Sequence, residues 1–277
     1  MQYCVGKIDQ ARFGVPAVYA GHASGFERSS LIDRAAGSVH VEACIARLQS
    51  GGHVAGCVHA YEKGLYVFEG ELELLRNGEL IVLPADSYAL VPTATAHAFR
   101  NRGTQIARWF EVLAPQPKPA AAFRDTFFTG DDAWPEPAVP AGAPAAVGCF
   151  TAENPIAGRS GELQRGMSVF RFMERSFGAR CFFMMRGEMA VGGHRTRHDH
   201  PLEEFYLGLS GEVEMEIEDR SFRLGAGDFA WTGVGTSHAF RHVGGEPFRW
   251  LETQTPQFPP DFGTRNYVEW EKLRAGR

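Results

Sequence analysis

The chain has 277 residues, which is enough for one large domain or two of ordinary size. Hydrophobic residues make up 44% and charged residues 22%, as in ordinary globular proteins, and no apolar run is long enough to cross a bilayer. A formal net charge of −5 argues against a nucleic-acid partner, because proteins that bind nucleic acid usually carry a basic surface.

The first residues, MQYCVGKIDQ, contain no apolar stretch behind a basic start, so we expect no secretory signal. The five cysteines are odd in number and lack CxxC spacing, which is typical of reduced thiols in a cytoplasmic protein. Glycine (32 residues) and proline (16 residues) favour many short elements joined by turns.

Two stretches of the chain are related at one constant offset, 141 residues, which separates His200 from His59 and also His238 from His97. The flanking residues agree, with AFR at 98–100 repeated at 239–241 and RWFE at 108–111 repeated as RWLE at 249–252. The register holds without a gap from about residue 35 to residue 116, which indicates two homologous units.

We therefore predict an N-terminal domain over residues 1–116 and a C-terminal domain over residues 149–277. Residues 117–148 between them are rich in proline and alanine and predict an extended connector. Alternating segments such as GLYVFEGELELL (64–75) and FYLGLSGEVEMEIE (205–218) predict short antiparallel strands in an all-β fold. A short helix is predicted only for YVEWEKLRAG (267–276).

The most specific pattern lies at residues 198–204, HDHPLEE. Alternate side chains of a strand share a face, so His198 and His200 point the same way, and Glu204 has the same parity. His238 arrives on a later strand. Three imidazoles and one carboxylate suit a divalent first-row metal and leave coordination positions open. We expect one such ion per chain, Fe2+ or Mn2+ in first place, with Ni2+, Co2+ and Zn2+ as alternatives.

These residues resemble the cupin family. Its first motif is matched at every spacing by Gly192, His198, His200, Glu204 and Gly211. Its second motif is matched in part by Gly227, Gly233 in place of proline, Gly235, His238, and His242 in place of asparagine. Since both repeats carry these motifs, the resemblance implies a bicupin, two tandem jelly-roll-like β-barrels.

The N-terminal copy keeps the scaffold but changes the ligand set. Its four ligand positions hold Cys57, His59, Lys63 and His97, and the ammonium of Lys63 would repel a divalent cation. Glu62 is adjacent but has the opposite strand parity. The Cys and His residues are ligand types that zinc accepts, but we expect a barrel without metal.

Other residues near the ligands suggest supporting roles. Tyr206 and His242 are predicted to assist orientation or proton transfer, because they share strand parity with Glu204 and His238 respectively. Parity places Arg195, Arg197 and Arg241 opposite the ligands, so they are predicted to be surface charges.

Three functions remain open from the sequence. The resemblance implies a mononuclear non-haem dioxygenase acting on a small organic molecule. The alternative is a manganese-dependent hydrolase, because segments such as YVFEGELEL resemble ureidoglycine aminohydrolase, although that family has a different ligand set. The third is a non-catalytic barrel that binds a metal or a small molecule. Unpaired strand edges also predict a homodimer or higher homo-oligomer.

Overall fold

The computed structural model describes residues 2–119, 124–130, 134–135, 146–150, 157–159, 161–257 and 265–267, which are folded almost entirely into two curled antiparallel sheets. The strands of the first sheet are β2 (Ala23–Ile32), β3 (Glu42–His59), β4 (Glu62–Glu69), β5 (Glu71–Arg76), β6 (Glu79–Pro84), β7 (Ser87–Val91), β8 (His97–Arg100), β9 (Ala107–Ala114), β10 (Thr126–Gly130) and β11 (Val147–Cys149). The strands of the second sheet are β1 (Tyr3–Lys7), β12 (Ala157–Arg159), β13 (Gln164–Met173), β14 (Phe183–Asp199), β15 (Glu203–Ser210), β16 (Glu212–Ile217), β17 (Arg220–Leu224), β18 (Asp228–Thr232), β19 (His238–Val243), β20 (Phe248–Thr255) and β21 (Arg265–Asn266). Short 3₁₀ turns lie at Gln10–Arg12, Ala17–Tyr19, Arg34–Ala36 and Arg175–Phe177.

The two sheets have the same strand order, which confirms the predicted tandem barrels. The first runs β11-β7-β4-β9-β3-β8-β5-β6 and the second runs β1-β18-β15-β20-β14-β19-β16-β17. Each strand from β3 to β9 therefore has a counterpart at the same place in the second sheet. The repeat seen in the sequence is a repeat of architecture.

One edge strand of each sheet comes from the other half of the chain. Strand β1 pairs with β18 of the second sheet, with Tyr3 opposite Thr232, although it precedes the whole first barrel. Strand β11 pairs with β7 of the first sheet, with Val147 opposite Ala89, although it follows the connector. Sheet membership thus departs from the predicted boundaries at residues 116 and 149, because a free sheet edge accepts any extended segment within reach.

The barrels pack against each other through a shared apolar core. Phe110 of the first barrel stacks on Phe205 of the second, with ring centroids 5.4 Å apart. At the position of Phe205, the first barrel has Gly64, where a Cβ would lie 2.7 Å from the Phe182 ring. Glycine is needed here for close approach, so the repeat is broken where the two barrels interlock.

Two equivalent glutamates tie each barrel to a loop of the other. The carboxylate of Glu62 accepts hydrogen bonds from the backbone N–H groups of Arg180 (2.9 Å) and Cys181 (2.7 Å). The carboxylate of Glu203 accepts them from the backbone of Val39 at 2.7 Å and from the hydroxyl of Ser38 at 2.6 Å. Glu62 therefore faces the neighbouring barrel, as its strand parity predicted, and stabilises the packing of the two barrels.

Both long strands that carry ligands are irregular just before them. In β14, the pairing with β19 shifts register between Arg195 and His198. In β3, the pairing with β8 shifts between Val54 and Cys57. Such bulges bend a strand and change which residues face the barrel interior.

The predicted helix at 267–276 lies outside the described residues apart from Tyr267, and so does much of the predicted connector. Within the described ranges, no helix has the length and apolar character needed to cross a membrane.

Candidate metal centre

Three strands of the second barrel bring the predicted ligands together. His198 and His200 come from the end of β14, Glu204 from the start of β15, and His238 from the first residue of β19. His198 lies directly opposite His238 in the sheet, and one donor atom from each of the three histidines lies within 4.8 Å of the others. His198, Glu204 and His238 are at most 4% exposed.

Backbone carbonyls fix the tautomers of two of these histidines. The Nδ1 of His198 lies 2.7 Å from the carbonyl of Thr196, and the Nδ1 of His238 lies 3.0 Å from the carbonyl of Thr236. A carbonyl only accepts, so each Nδ1 must carry the hydrogen. Each Nε2 is then a lone-pair donor, which is the form that binds metal.

The carboxylate of Glu204 faces two of these imidazoles. Its Oε1 lies 3.1 Å from the Nε2 of His200, and its Oε2 lies 3.2 Å from the Nε2 of His238. Since the Nε2 of His238 is a lone-pair donor, its approach to a carboxylate oxygen requires a cation or a proton between them. The four residues therefore fit a divalent metal in the chemistry of their donor atoms.

Burial keeps the imidazoles neutral and disfavours the bare carboxylate. Desolvation lowers the pKa of His200 to about 3 and that of His238 to about 4, and it lowers the pKa of His198 well below its usual range. Desolvation and the nearby Glu252 raise the pKa of Glu204 well above its usual range. Without metal the carboxyl takes up a proton, and a bound cation would replace that proton.

A second layer of polar contacts orients Glu204. The amide of Gln254 donates to Glu204 Oε1 at 2.9 Å and to Glu252 Oε1 at 2.7 Å. Trp250 Nε1 donates to the other oxygen of Glu252 at 2.9 Å. Gln254 thus links the ligand carboxylate to a second buried carboxyl, whose pKa is raised to about 7 by desolvation.

Of the two residues predicted to assist the chemistry, one lines the cavity and the other lies outside its lining. The hydroxyl of Tyr206 lies 3.1 Å from the Nε2 of His238, and Tyr206 lines the cavity beside the predicted ligands. His242 lies outside that lining, and its Nε2 donates to the carbonyl of Glu246 at 2.6 Å. Asn101 at the equivalent position donates to the carbonyl of Gln105, so His242, like Asn101, braces a turn.

A cavity of about 150 Å³ opens onto the ligands. Its lining includes the basic residues Arg171 and Arg195 and the apolar residues Phe183, Met185 and Phe240. The full lining is Gln164, Met167, Val169, Arg171, Phe183, Met185, Arg195, His198, His200, Pro201, Leu202, Glu204, Tyr206, Phe240, Glu252 and Gln254.

The sequence prediction for Arg195 was wrong, and Arg171 was missed. The register shift between Arg195 and His198 reverses strand parity, so Arg195 lines the cavity instead of the surface. Arg197 and Arg241 do face outward, where they pair with Glu216 and Glu214 on neighbouring strands. No sequence signal marks the bulge, and Arg171 lies on β13, outside both motifs.

The equivalent position in the first barrel holds a different cluster. The Sγ of Cys57 lies 3.6 Å from the Nε2 of His59 and 3.8 Å from the Nε2 of His97, and all three residues are buried. The Nζ of Lys63, at the position of Glu204, pairs with Glu111 at 3.5 Å. Where the sequence predicts that the acidic ligand is lost, the first barrel therefore has a buried ammonium.

The sequence and the fold together identify the class of protein. The cupin domain model matches residues 44–113 and 185–253, one stretch in each barrel. The chain belongs to the cupin family and has two cupin domains.

Solved structures show the same two-barrel fold. Oxalate decarboxylase from Bacillus subtilis superposes with a TM-score of 0.68 at 15% identity over 91% of this chain and 78% of that chain. A protein from Pseudomonas aeruginosa described as glyoxylate-induced superposes with a TM-score of 0.71 at 18% identity over 95% of this chain and 92% of that chain. At such identities the likeness shows the fold alone.

Among curated proteins, the chain is similar to polyketide synthase CurC from Streptomyces cyaneus. The two are 37% identical over 84 residues, which is 30% of this chain. The match spans 54% of that relative, about half its length.

Proposed function

We propose that this chain is a metal-dependent enzyme with one metal centre, formed by His198, His200, Glu204 and His238, and that its substrate is a small organic acid. The observation that carries the proposal is the cavity, whose lining combines three of the four predicted ligands with Arg171 and Arg195. Fe2+ and Mn2+ suit the ligand set best, and Ni2+, Co2+ and Zn2+ also accept it.

The metal, when bound, would supply a Lewis acid with open positions for substrate or dioxygen. The remaining chemistry belongs to side chains of the cavity. Arg171 and Arg195 offer fixed donors that match a carboxylate. Tyr206 offers a hydroxyl close to His238 for holding or moving a proton.

The size and walls of the cavity limit the substrate. About 150 Å³ accommodates a small molecule, and Phe183, Met185 and Phe240 favour an apolar body next to the acid group. The ring of Phe183 also supports the guanidinium of Arg171, whose Cζ lies 5.2 Å from the ring centroid. The substrate class is thus a small carboxylic acid with an apolar portion.

For the reaction we propose a mononuclear non-haem dioxygenation, because three neutral imidazoles and one carboxylate leave coordination positions free for dioxygen. A non-redox manganese reaction is the second candidate. Its support is the structural likeness to Bacillus subtilis oxalate decarboxylase, a protein with Mn(II) centres, and the resemblance of the sequence to ureidoglycine aminohydrolase. A binding protein without turnover is the third candidate, and a homo-oligomer remains a prediction.

The first experiment is elemental analysis of untagged protein, followed by assays on a panel of small carboxylic acids. Oxygen uptake supports dioxygenation, whereas carbon dioxide or ammonia release without oxygen uptake supports the non-redox candidate. Arg195→Gln should raise KM for acids but leave KM for the matching methyl esters and the metal content unchanged. Loss of metal in this variant, or equal effects on acids and esters, would contradict the assigned role of Arg195.

A further inference from the structure

The buried cluster of Cys57, His59 and His97 has the spacing of a metal site. An ion bound by thiolate at about 2.3 Å and imidazole at about 2.0–2.1 Å in tetrahedral geometry separates sulfur from nitrogen by about 3.6 Å. The Sγ of Cys57 lies 3.6 Å from one imidazole Nε2 and 3.8 Å from the other. Two edges of the coordination tetrahedron are therefore already formed.

The imidazoles of this cluster are held with Nε2 toward the sulfur. The Nδ1 of His97 donates to the carbonyl of Thr95 at 3.0 Å, which leaves its Nε2 as a lone-pair donor. The Nδ1 of His59 lies 3.1 Å from the hydroxyl of Thr126, which comes from β10 beside the ligand strand. His59 and His97 are each 2% exposed and Cys57 is 1% exposed, so water does not compete for these atoms.

The position equivalent to Glu204 holds a cation that belongs to the protein. Lys63 is 2% exposed, its Nζ pairs with Glu111, and it lies 5.0 Å from the centroid of the Phe99 ring. The Nζ of Lys63 also lies 6.0 Å from the centroid of the Tyr19 ring, whose hydroxyl lies 3.3 Å from the Nε2 of His59, so the ammonium is buried beside this cluster. A divalent ion at the cluster would meet this charge in a medium that screens it poorly.

We propose that the first barrel contains a latent site for a thiophilic divalent metal, with Cys57, His59 and His97 as ligands, and that the Lys63 ammonium keeps this site closed. One thiolate and two neutral imidazoles suit borderline-soft ions such as Zn2+ and Co2+. The inference is independent of the reaction proposed for the second barrel, because that barrel has no cysteine ligand.

Cobalt is the appropriate probe, because a thiolate ligand gives a charge-transfer absorption that a site of imidazoles and carboxylate lacks. Wild-type protein titrated with Co2+ should show no thiolate-to-cobalt band. Lys63→Gln should show the band and take up about one more Co2+ per chain than wild type. Cys57→Ser in the Lys63→Gln background should remove both the band and the extra ion.

Lys63→Glu provides a second test, because it restores the acidic ligand type found at Glu204. Cooperative thermal unfolding identifies which variants are folded. A band of full intensity in wild type would overturn the role of Lys63, and a folded Lys63→Gln or Lys63→Glu without the band would overturn the latent site. Failure of the second barrel to bind cobalt would not affect the proposed site in the first barrel, because the absorption band reports on Cys57 alone.

Discussion

Each barrel has a buried glutamate at the equivalent position, but the charge of this carboxylate is compensated differently in the two barrels. Trp109 donates to Glu111 at 2.9 Å, and Trp250 donates to Glu252 at the same distance. In the first barrel, Lys63 is paired with Glu111, whose pKa is lowered by Lys63 and by a second buried cation. In the second barrel, desolvation raises the pKa of Glu252 to about 7, and the nearby Arg171 and Arg195 offset this only in part.

Three substitutions at equivalent positions account for this difference. Lys63 is replaced by Glu204, Leu113 by Gln254, and Arg28, which lies 3.6 Å from Glu111, by Val169. The carboxylate of the first barrel is therefore compensated by the protein's own cations, whereas the second barrel groups two carboxyls with three imidazoles, a donor set that fits a metal ion. A buried carboxylate in such an interior is compensated by a cation, either a side chain or a metal, or it takes up a proton.

The largest effect should come from removing a ligand of the second barrel. His200→Ala or Glu204→Ala should abolish metal binding, because each removes one of four converging donors. His59→Ala, the equivalent change to His200→Ala in the first barrel, should leave the metal content almost unchanged. Elemental analysis of the three proteins checks this, and equal metal loss from all of them would refute the one-site arrangement.

The next largest effect concerns the stability of the first barrel. Glu111→Gln leaves Lys63 without its carboxylate in the interior, which should lower the free energy of unfolding by about 3–5 kcal/mol. Glu252→Gln at the equivalent position should cost much less, because burial already disfavours the charged form of Glu252 and raises its pKa to about 7. Urea unfolding of both variants at neutral pH checks this, and similar losses would contradict the ion-pair account.

A smaller effect is expected from the link between the two acids of the second barrel. Gln254→Leu introduces the residue of the first barrel and removes the hydrogen bond that orients Glu204. Metal affinity should fall by about 10–100-fold with little change in thermal stability. Competition with a chelator measures this affinity, and an unchanged value would show that Glu204 is oriented without Gln254.

The smallest effect is on the pH dependence of stability without metal. The pKa of His97 is lowered to about 3, so the unfolded chain binds its proton first and stability falls as pH drops below about 6.5. The pKa of Glu252 is raised to about 7, so the folded chain holds that proton and stability falls as pH rises toward 7. His97 and Glu252 thus contribute opposite slopes.

Variants at these two positions distinguish the two contributions to the pH dependence of stability. His97→Gln should flatten the loss of stability on acidification, and Glu252→Gln should steepen it. Thermal unfolding with chelator at pH values between about 4.5 and 6.5 checks both signs, because each group is shifted across that range. Two changes of the same sign would contradict the assignment.

The sequence by itself determined the repeat, the all-β class and the tandem barrels, and it predicted the ligand set of the second barrel. These features follow from local spacing: His198, His200 and Glu204 lie within seven residues, and His238 is found by its motif. The replacement of the acidic ligand by Lys63 was also visible, because the offset aligns the two copies residue by residue.

Only the tertiary structure decided where the other polar groups lie. Strand parity holds while pairing is regular, so the bulge before His198 moved Arg195 into the cavity against the prediction. Parity also fixes the face of a residue but not its depth along the barrel, so His242 braces a turn while Tyr206 reaches the ligands. The exchange of β1 and β11 between the sheets depends on contacts distant in the chain, which local patterns do not encode.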